Sequence, residues 1–149
     1  MKKIYPFLLF FTACNTQESG KTITMDKVKI VDKKSLSGGC YVMIKDKDSA
    51  NMQLEIKGEK VTGILIYKIF EKDMNKGTIN GVINDSLLDV VYTFQSEGII
   101  SNRQIVFKIK DDTLREGYGE ITENKNGVIF IDISTLQFHD VPFVKTSCK

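Results

Sequence analysis

The chain has 149 residues, with 21 basic and 19 acidic side chains, one histidine, three cysteines and 42% hydrophobic residues. This length and apolar content suit one domain with a single hydrophobic core. The near balance of interspersed charges argues against a nucleic-acid partner, because such a partner requires a basic face.

The beginning of the chain has the pattern of a secretory leader. Two lysines start it, residues 4–11 are apolar, and Ala13 precedes Cys14. The apolar run is too short to cross a bilayer, which takes about 20 residues. The sequence Phe-Thr-Ala-Cys ending at Cys14 resembles a bacterial lipobox, and this resemblance implies cleavage before Cys14 and its lipidation. The alternative is an ordinary signal peptide with an incidental cysteine.

This leader divides the chain into three predicted parts. They are a signal peptide over residues 1–13, a lipidated N-terminus with a polar tether over 14–37, and a β-barrel domain over 38–149. Loss of the two leader lysines from the 21 basic side chains balances the 19 acidic ones. Several acyl chains on Cys14 would hold the protein stably on a membrane. We therefore expect a cell-envelope protein, anchored by lipid in the outer membrane of a Gram-negative bacterium.

The domain alternates strand-length segments with short turns, and no helix-period segment of useful length follows Cys14. Strands are predicted at about 40–45, 51–57, 60–71, 76–83, 87–96, 103–110, 113–121 and 128–138. Within them, apolar residues recur with period two, as at Ile105, Phe107 and Ile109. Short turns make neighbouring strands antiparallel, and closure would remove the sheet edges. The prediction is an all-β, single antiparallel up-and-down β-barrel of about eight strands, with a two-sheet β-sandwich as the alternative.

Several spaced residues carry a resemblance to known proteins. They are Glu71-Lys72-Asp73, Asn75, Gly77, Tyr92, Phe94, Ser96-Glu97-Gly98, Ser101, Arg103 and Glu116-Gly117-Tyr118-Gly119. In this pattern the chain resembles small bacterial lipoproteins, and the predicted architecture is similar to that of lipocalins and streptavidin. Neither resemblance implies an activity.

The strand count predicts which loops share an end of the domain. If turns alternate, the loops at 46–50, 72–76, 97–102 and 122–127 lie at one end, which we call the distal end. Cys40 and Cys148 then meet at the opposite, proximal end, where the tether also leaves. A Cys40–Cys148 disulfide is expected, because two cysteines remain after lipidation and the envelope is oxidising.

Polar side chains are predicted to gather near the distal end. Strand parity points Glu71 and Arg103 inward near the rim. The candidate ligand-binding or rim network comprises Glu71, Glu97, Arg103, Glu116 and Glu120, with Tyr67, Tyr92 and Tyr118 along the walls. One interpretation is a structural network, since a buried arginine needs carboxylate partners. The other is a small polar binding site whose guanidinium recognises a carboxylate or phosphate.

Enzyme chemistry and cofactors are not indicated. His139 is the only histidine, and no nucleophile has a sequence context that would activate it. No Cys/His cluster indicates a metal, and the pairs Asp46/Asp48 and Asp111/Asp112 lie in ordinary turns. No catalytic residue, metal site or cofactor is therefore predicted.

Two functions remain open from the sequence. The first is a lipid-anchored binding protein without catalysis, with its barrel mouth facing away from the membrane and a small polar ligand inside. The second is an interaction or inhibitor module that presents its distal loops to an envelope protein, as lysozyme-inhibitor lipoproteins do. A pocket inside the domain would favour the first. A packed interior with Met74, Ile99 and Ile100 exposed would favour the second.

Overall fold

The computed structural model describes residues 36–96 and 98–148, and these form an all-β domain, as predicted. The strands are β1 Gly39–Lys45, β2 Asp48–Lys57, β3 Lys60–Lys68, β4 Asn75–Asn84, β5 Leu87–Ser96, β6 Ile99–Lys110, β7 Thr113–Tyr118, β8 Ile121–Asn124, β9 Gly127–Phe130, β10 Gln137–Phe138 and β11 Val144–Thr146. A three-residue 3-10 helix, Ile133–Thr135, lies between β9 and β10.

The first seven strands pair consecutively and antiparallel, as the sequence pattern predicted. Their side chains alternate between core and solvent, because successive residues of a strand point to opposite faces. In β2, Ala50, Met52 and Leu54 are buried while the residues between them are exposed. Tight turns reverse the chain, and Asp46 and Asp85 take positive φ angles of 55° and 52° there. Aspartate tolerates this region better than most residues.

The sheet is open, which corrects the predicted closed barrel. Its strand order is β10-β7-β6-β5-β4-β3-β2-β1-β11. Among the described residues, an isolated bridge just before β11 reaches β7: the Leu114 N–H donates to the Phe143 carbonyl at 3.1 Å, and the Phe143 N–H donates to the Leu114 carbonyl at 2.7 Å. The two margins of the sheet therefore touch at one point and lack a continuous ladder. We call this contact the seam.

Eleven strands replace the eight predicted, partly because the predicted strand at 128–138 breaks. The Asp132 side chain accepts a hydrogen bond from the Ser134 N–H at 2.8 Å and caps the short helix. Such a local bond competes with the strand ladder. The predicted strand at 113–121 also ends early, at Tyr118.

One hydrophobic core fills the space enclosed by the curled sheet. Its largest fully buried side chains include Tyr41, Phe107, Phe143, Met52, Leu65, Ile79, Leu88 and Ile105. One face of β5 is apolar and turned to the core, since Leu88, Val90 and Tyr92 are all buried. Burial of these side chains supplies the main driving force for folding.

Two glycines of β4 allow the sheet to curl. A Cβ added at Gly77 would overlap the carbonyl oxygen of Thr93, and one at Gly81 would overlap that of Asp89. Only glycine permits such a close approach of two backbones. The bend between β4 and β5 therefore depends on both residues.

A disulfide joins Cys40 to Cys148, as the strand count predicted. The two Cα atoms are 5.2 Å apart, and the cysteines are separated by 108 positions in sequence. Cys40 lies in β1 and Cys148 follows β11, so the bond fixes the C-terminal strand to the first strand. Most of the chain lies inside the covalent loop.

Candidate functional site

Large apolar side chains face solvent at the distal end of the domain. Phe70 and Met74, between β3 and β4, are 48% and 55% exposed, and Ile99 and Ile100, at the start of β6, are 68% and 73% exposed. We call these four residues the distal apolar patch. Ile99 and Ile100 are successive residues of β6 and point to opposite faces of the sheet, so the patch covers both sides of this end. Hydrophobic side chains are ordinarily exposed singly, and grouping at one end of a domain is typical of a contact surface.

The loop that carries Phe70 is held in place by its neighbour. The Phe70 N–H donates to the Asp48 carboxylate at 2.8 Å. The Lys47 ammonium lies 3.9 Å from the centre of the Phe70 ring, within range of a cation–π interaction. These contacts place the β1–β2 turn beside the β3–β4 loop, in agreement with the predicted alternation of turns. The patch therefore has a defined geometry on at least this side.

A partly buried hydrogen bond joins two strands below the distal end. The Tyr67 hydroxyl donates to Oε2 of Glu116 at 2.9 Å, which links β3 to β7. Burial raises the pKa of the Glu116 carboxyl, and the hydrogen bond from Tyr67 and the charges of Arg103 and His139 only partly oppose it. Burial and the adjacent Glu116 also raise the pKa of Tyr67 well above its usual value. The pair is an internal brace between two strands that are not neighbours in the sheet.

Tyr92 lies beside this pair with a hydroxyl that has no partner among the described residues. Its side chain is 2% exposed. The ring meets Tyr67 edge to face with centroids 5.9 Å apart and stacks on Phe94 at 4.8 Å. Burial raises the pKa of Tyr92 to about 12, so the hydroxyl keeps its proton at neutral pH. A buried hydroxyl without a partner is uncommon, because it costs free energy to remove it from water.

Arg103 lies near Tyr92 because the two residues are paired in the register of β5 and β6. It lies directly opposite Tyr92 on the neighbouring strand, so the two side chains share the inner face. Its charge acts on both Tyr67 and Glu116. In the part of the chain that the structure describes, Arg103 forms no ion pair, and the pair that is found there joins Lys145 to Asp112. We call Tyr67, Tyr92, Arg103 and Glu116 the inner polar cluster.

The other predicted network residues lie outside this cluster. Glu71 and Glu120 are exposed, and Glu71 has a positive φ of 59° in its loop. Tyr118 is also exposed, and its ring stacks on His139 with centroids 4.6 Å apart. Glu97 falls outside the described residues. Strand parity identified the inward positions, but it did not distinguish strand residues from loop residues at the rim.

A second polar group at the proximal end escaped the sequence analysis. The Asp112 carboxylate accepts hydrogen bonds from the Ser37 N–H at 3.0 Å and the Tyr41 hydroxyl at 2.7 Å. The Lys145 ammonium lies 3.5 Å from the same carboxylate. Burial alone would raise the pKa of Asp112, but the hydrogen bonds from Tyr41 and Ser37 and the charge of Lys145 lower it overall. Ser37 is 75 positions away, so no local pattern could have indicated this contact.

A groove of about 620 Å³ on the outer face of the sheet was also not predicted. It runs between the outer surface of β4 and β5 and the arm formed by residues 128–133. The Gln104 amide donates to Asp89 at 3.0 Å and accepts from the Phe130 N–H at 3.0 Å, which fixes the arm to the sheet. Exposed Val82 and Val91 form its floor. In the sequence, this groove could have been suspected only from Val82 and Val91, two apolar residues at strand positions that point to solvent.

The remaining predictions about the N-terminal part of the chain concern residues that the structure does not describe. Cys14, the signal peptide and the tether up to residue 35 are outside the described residues. Within residues 36–96 and 98–148, no group of three or more His, Cys, Asp or Glu residues is arranged to hold a metal ion. The same part of the chain contains no helix with the length and apolar character needed to cross a membrane.

Comparisons of the chain with protein-family models, with curated proteins and with solved structures give no match.

Proposed function

We propose that this protein is a non-catalytic interaction module of the cell envelope that binds a protein partner through the distal apolar patch. The observation that carries the proposal is the exposure of Phe70, Met74, Ile99 and Ile100 at one end of the domain. Large apolar side chains grouped on a surface are typical of protein contact sites, and a few such residues supply most of the binding free energy.

The packing of the interior favours this function over that of a barrel that encloses a large cavity for a small ligand. The core cluster runs through the space inside the sheet, with Tyr67, Tyr92 and Phe94 packed together under the distal end. Grooves of about 620 and 550 Å³ lie along outer faces of the sheet, and another of about 630 Å³ is lined by the exposed Tyr118, Gly119 and Glu120. A drug-sized ligand needs a concave site of about 300–1,000 Å³ that covers most of its surface.

We further propose that lipidation of Cys14 holds the domain at a membrane, and Cys14→Ser tests this. The variant should leave the membrane fraction and become soluble, because it lacks the acyl chains that provide the anchoring free energy. The measurement is cell fractionation followed by intact-mass analysis of both forms. Undiminished membrane retention of Cys14→Ser, with no lipid mass on the parent protein, would count against the anchor.

Substitution of residues in the distal apolar patch should weaken partner binding strongly while leaving the free energy of unfolding almost unchanged. We expect Phe70→Ser combined with Ile100→Ser to weaken binding by about 30-fold or more, the effect of losing about 2 kcal/mol at a contact hot spot. Both side chains are about half or more exposed, so the free energy of unfolding should change by only about 0.5 kcal/mol. Quantitative co-purification from the native envelope, with urea unfolding in parallel, measures both quantities.

Ile131→Ser is the matched control. Ile131 is 61% exposed but lies in the arm along the outer groove, away from the distal loops. The control variant should capture the same partner in the same amount as the parent protein. If the patch variant also captures that partner undiminished, or if Ile131→Ser loses it equally, the distal apolar patch is not the binding surface.

A further inference from the structure

The inner polar cluster contains a buried hydrogen-bonding group that the protein itself leaves unused. Tyr92 is 2% exposed, and its hydroxyl has no partner among the described residues. The nearby Tyr67 hydroxyl is satisfied by Glu116 at 2.9 Å. Leaving a buried hydroxyl unpaired costs about 1–3 kcal/mol, so such groups in native proteins generally have a partner that is not part of the chain.

A second donor lies on the same face of the sheet as this hydroxyl. Arg103 is directly opposite Tyr92 in the β5–β6 register, and directly opposed side chains have Cβ atoms about 4.5–5.5 Å apart. The residue is exposed to solvent, and among the described residues its guanidinium has neither an ion pair nor a hydrogen bond to a side chain. A guanidinium carries five N–H donors and a phenol one O–H donor, and the register places both groups on one face of the sheet.

We propose that Arg103 and Tyr92 together bind the carboxylate group of a small monocarboxylic acid on the inner face of the sheet, below the distal end. The guanidinium donates to the two carboxylate oxygens, as it does in bidentate ion pairs. The Tyr92 hydroxyl donates to one of the same oxygens. This site does not depend on the proposed protein partner, and it is tested on the isolated protein.

Charge limits the ligand to a single carboxylate. Glu116 belongs to the same cluster and is held by the Tyr67 hydroxyl. A phosphate dianion would add two negative charges beside Glu116 where a carboxylate adds one, so repulsion disfavours phosphate. The raised pKa of Glu116 means that it accepts a proton more readily than an exposed glutamate, which reduces the repulsion toward one additional carboxylate.

Acetate is the probe, and acetamide is its uncharged control of the same shape. We expect acetate to raise the unfolding temperature of the full chain in a concentration-dependent way, at ionic strength matched with chloride, because a ligand that binds only the folded state stabilises it. Acetamide should have no such effect. Tyr92→Phe and Arg103→Met should each weaken acetate binding by about tenfold or more, since each removes a hydrogen bond to a charged group.

The variants also separate a ligand site from a structural role. Without acetate, Tyr92→Phe should be as stable as the parent protein or more stable, because it removes only a hydroxyl that lacks a protein partner. Tyr118→Phe is the matched control, since the Tyr118 hydroxyl bonds to exposed Gln137 and lies outside the cluster. It should keep the full response to acetate. Arg103→Lys retains the charge without the bidentate geometry and should bind with intermediate affinity, which provides a second variant if Arg103→Met folds poorly.

The natural carboxylate could belong to a free small acid or to the C-terminus of a polypeptide. A short acetylated peptide that ends in an apolar residue distinguishes the two. Tighter binding of the peptide acid than of acetate, lost in the peptide amide, would identify the end of a polypeptide as the natural ligand. Equal binding of the peptide acid and acetate would identify a free small acid. Absence of any acetate-specific stabilisation, or a response that survives both Tyr92→Phe and Arg103→Met, would overturn the site. Neither result bears on whether the distal apolar patch captures a protein.

Discussion

Replacing Cys40 and Cys148 together by alanine is expected to lower the free energy of unfolding by about 4–5 kcal/mol, on the chain-entropy account of a loop of this size. The disulfide spans 108 positions, so without it the unfolded chain gains much more conformational freedom. The bond also fixes the three-residue strand β11, which pairs only with β1 over Cys40↔Thr146 to Val42↔Val144. Urea unfolding of the purified oxidised protein and of the double variant measures the difference.

Two controls isolate the contribution of the bond. The parent protein with the disulfide reduced should lose a similar amount of stability, while Cys14→Ser, which keeps the disulfide, should lose none. Intact-mass analysis without reductant should find no free thiol at either position. A double variant within about 1 kcal/mol of the parent would mean that the bond adds strain to the folded state that cancels its effect on the unfolded chain.

The disulfide was predicted from the cysteine count together with the strand count. Lipidation of Cys14 would leave two cysteines, and counting reversals over eight strands placed Cys40 and Cys148 at one end. Strands β1 to β7 have clear turns that reverse the chain, but the region after β7 contains β8 to β11 and not the single strand that was counted there. Hydrogen bonds between neighbouring turns at the proximal end, such as the Ile83 N–H to the Glu59 carbonyl at 2.7 Å, follow from the alternation of these turns.

The short strands were not predictable, because their sequences carry too little pattern. Strand β11 has three residues and β10 has two, which is less than the span needed to recognise period two. Strand β9 runs parallel to β6 through the pair Arg103↔Val128, a contact formed only after the arm folds back on the sheet. These elements owe their structure to tertiary contacts more than to local preference.

Only part of the inner polar cluster could be predicted from the sequence. Period two placed Tyr92 and Arg103 on the inward face, and the register agrees with this. The contact between Tyr67 and Glu116 was not accessible, because the two residues lie 49 positions apart on strands that are not neighbours. Whether they touch depends on how strongly the sheet curls. That curl depends on Gly77 and Gly81, whose role is visible only once the two backbones are placed together.

The second large effect is expected at the seam, where Phe143→Ala should destabilise the fold by about 3–5 kcal/mol. Phe143 is 1% exposed, and its ring meets Phe107 edge to face with centroids 5.6 Å apart. Its backbone exchanges two hydrogen bonds with Leu114 across the seam. Removal of the ring leaves a cavity in the core at the point where the two margins of the sheet touch.

Val144→Ala is the matched control for this substitution, because Val144 is the next residue but is 43% exposed. Its loss should cost less than about 1 kcal/mol, since a partly exposed valine buries little surface. Urea unfolding gives both values, and amide exchange at Leu114 should accelerate in Phe143→Ala beyond its rate in Val144→Ala. If both variants lose the same small amount, the Phe143 ring does not hold the margins together, and the backbone hydrogen bonds with Leu114 and the disulfide are what support the seam.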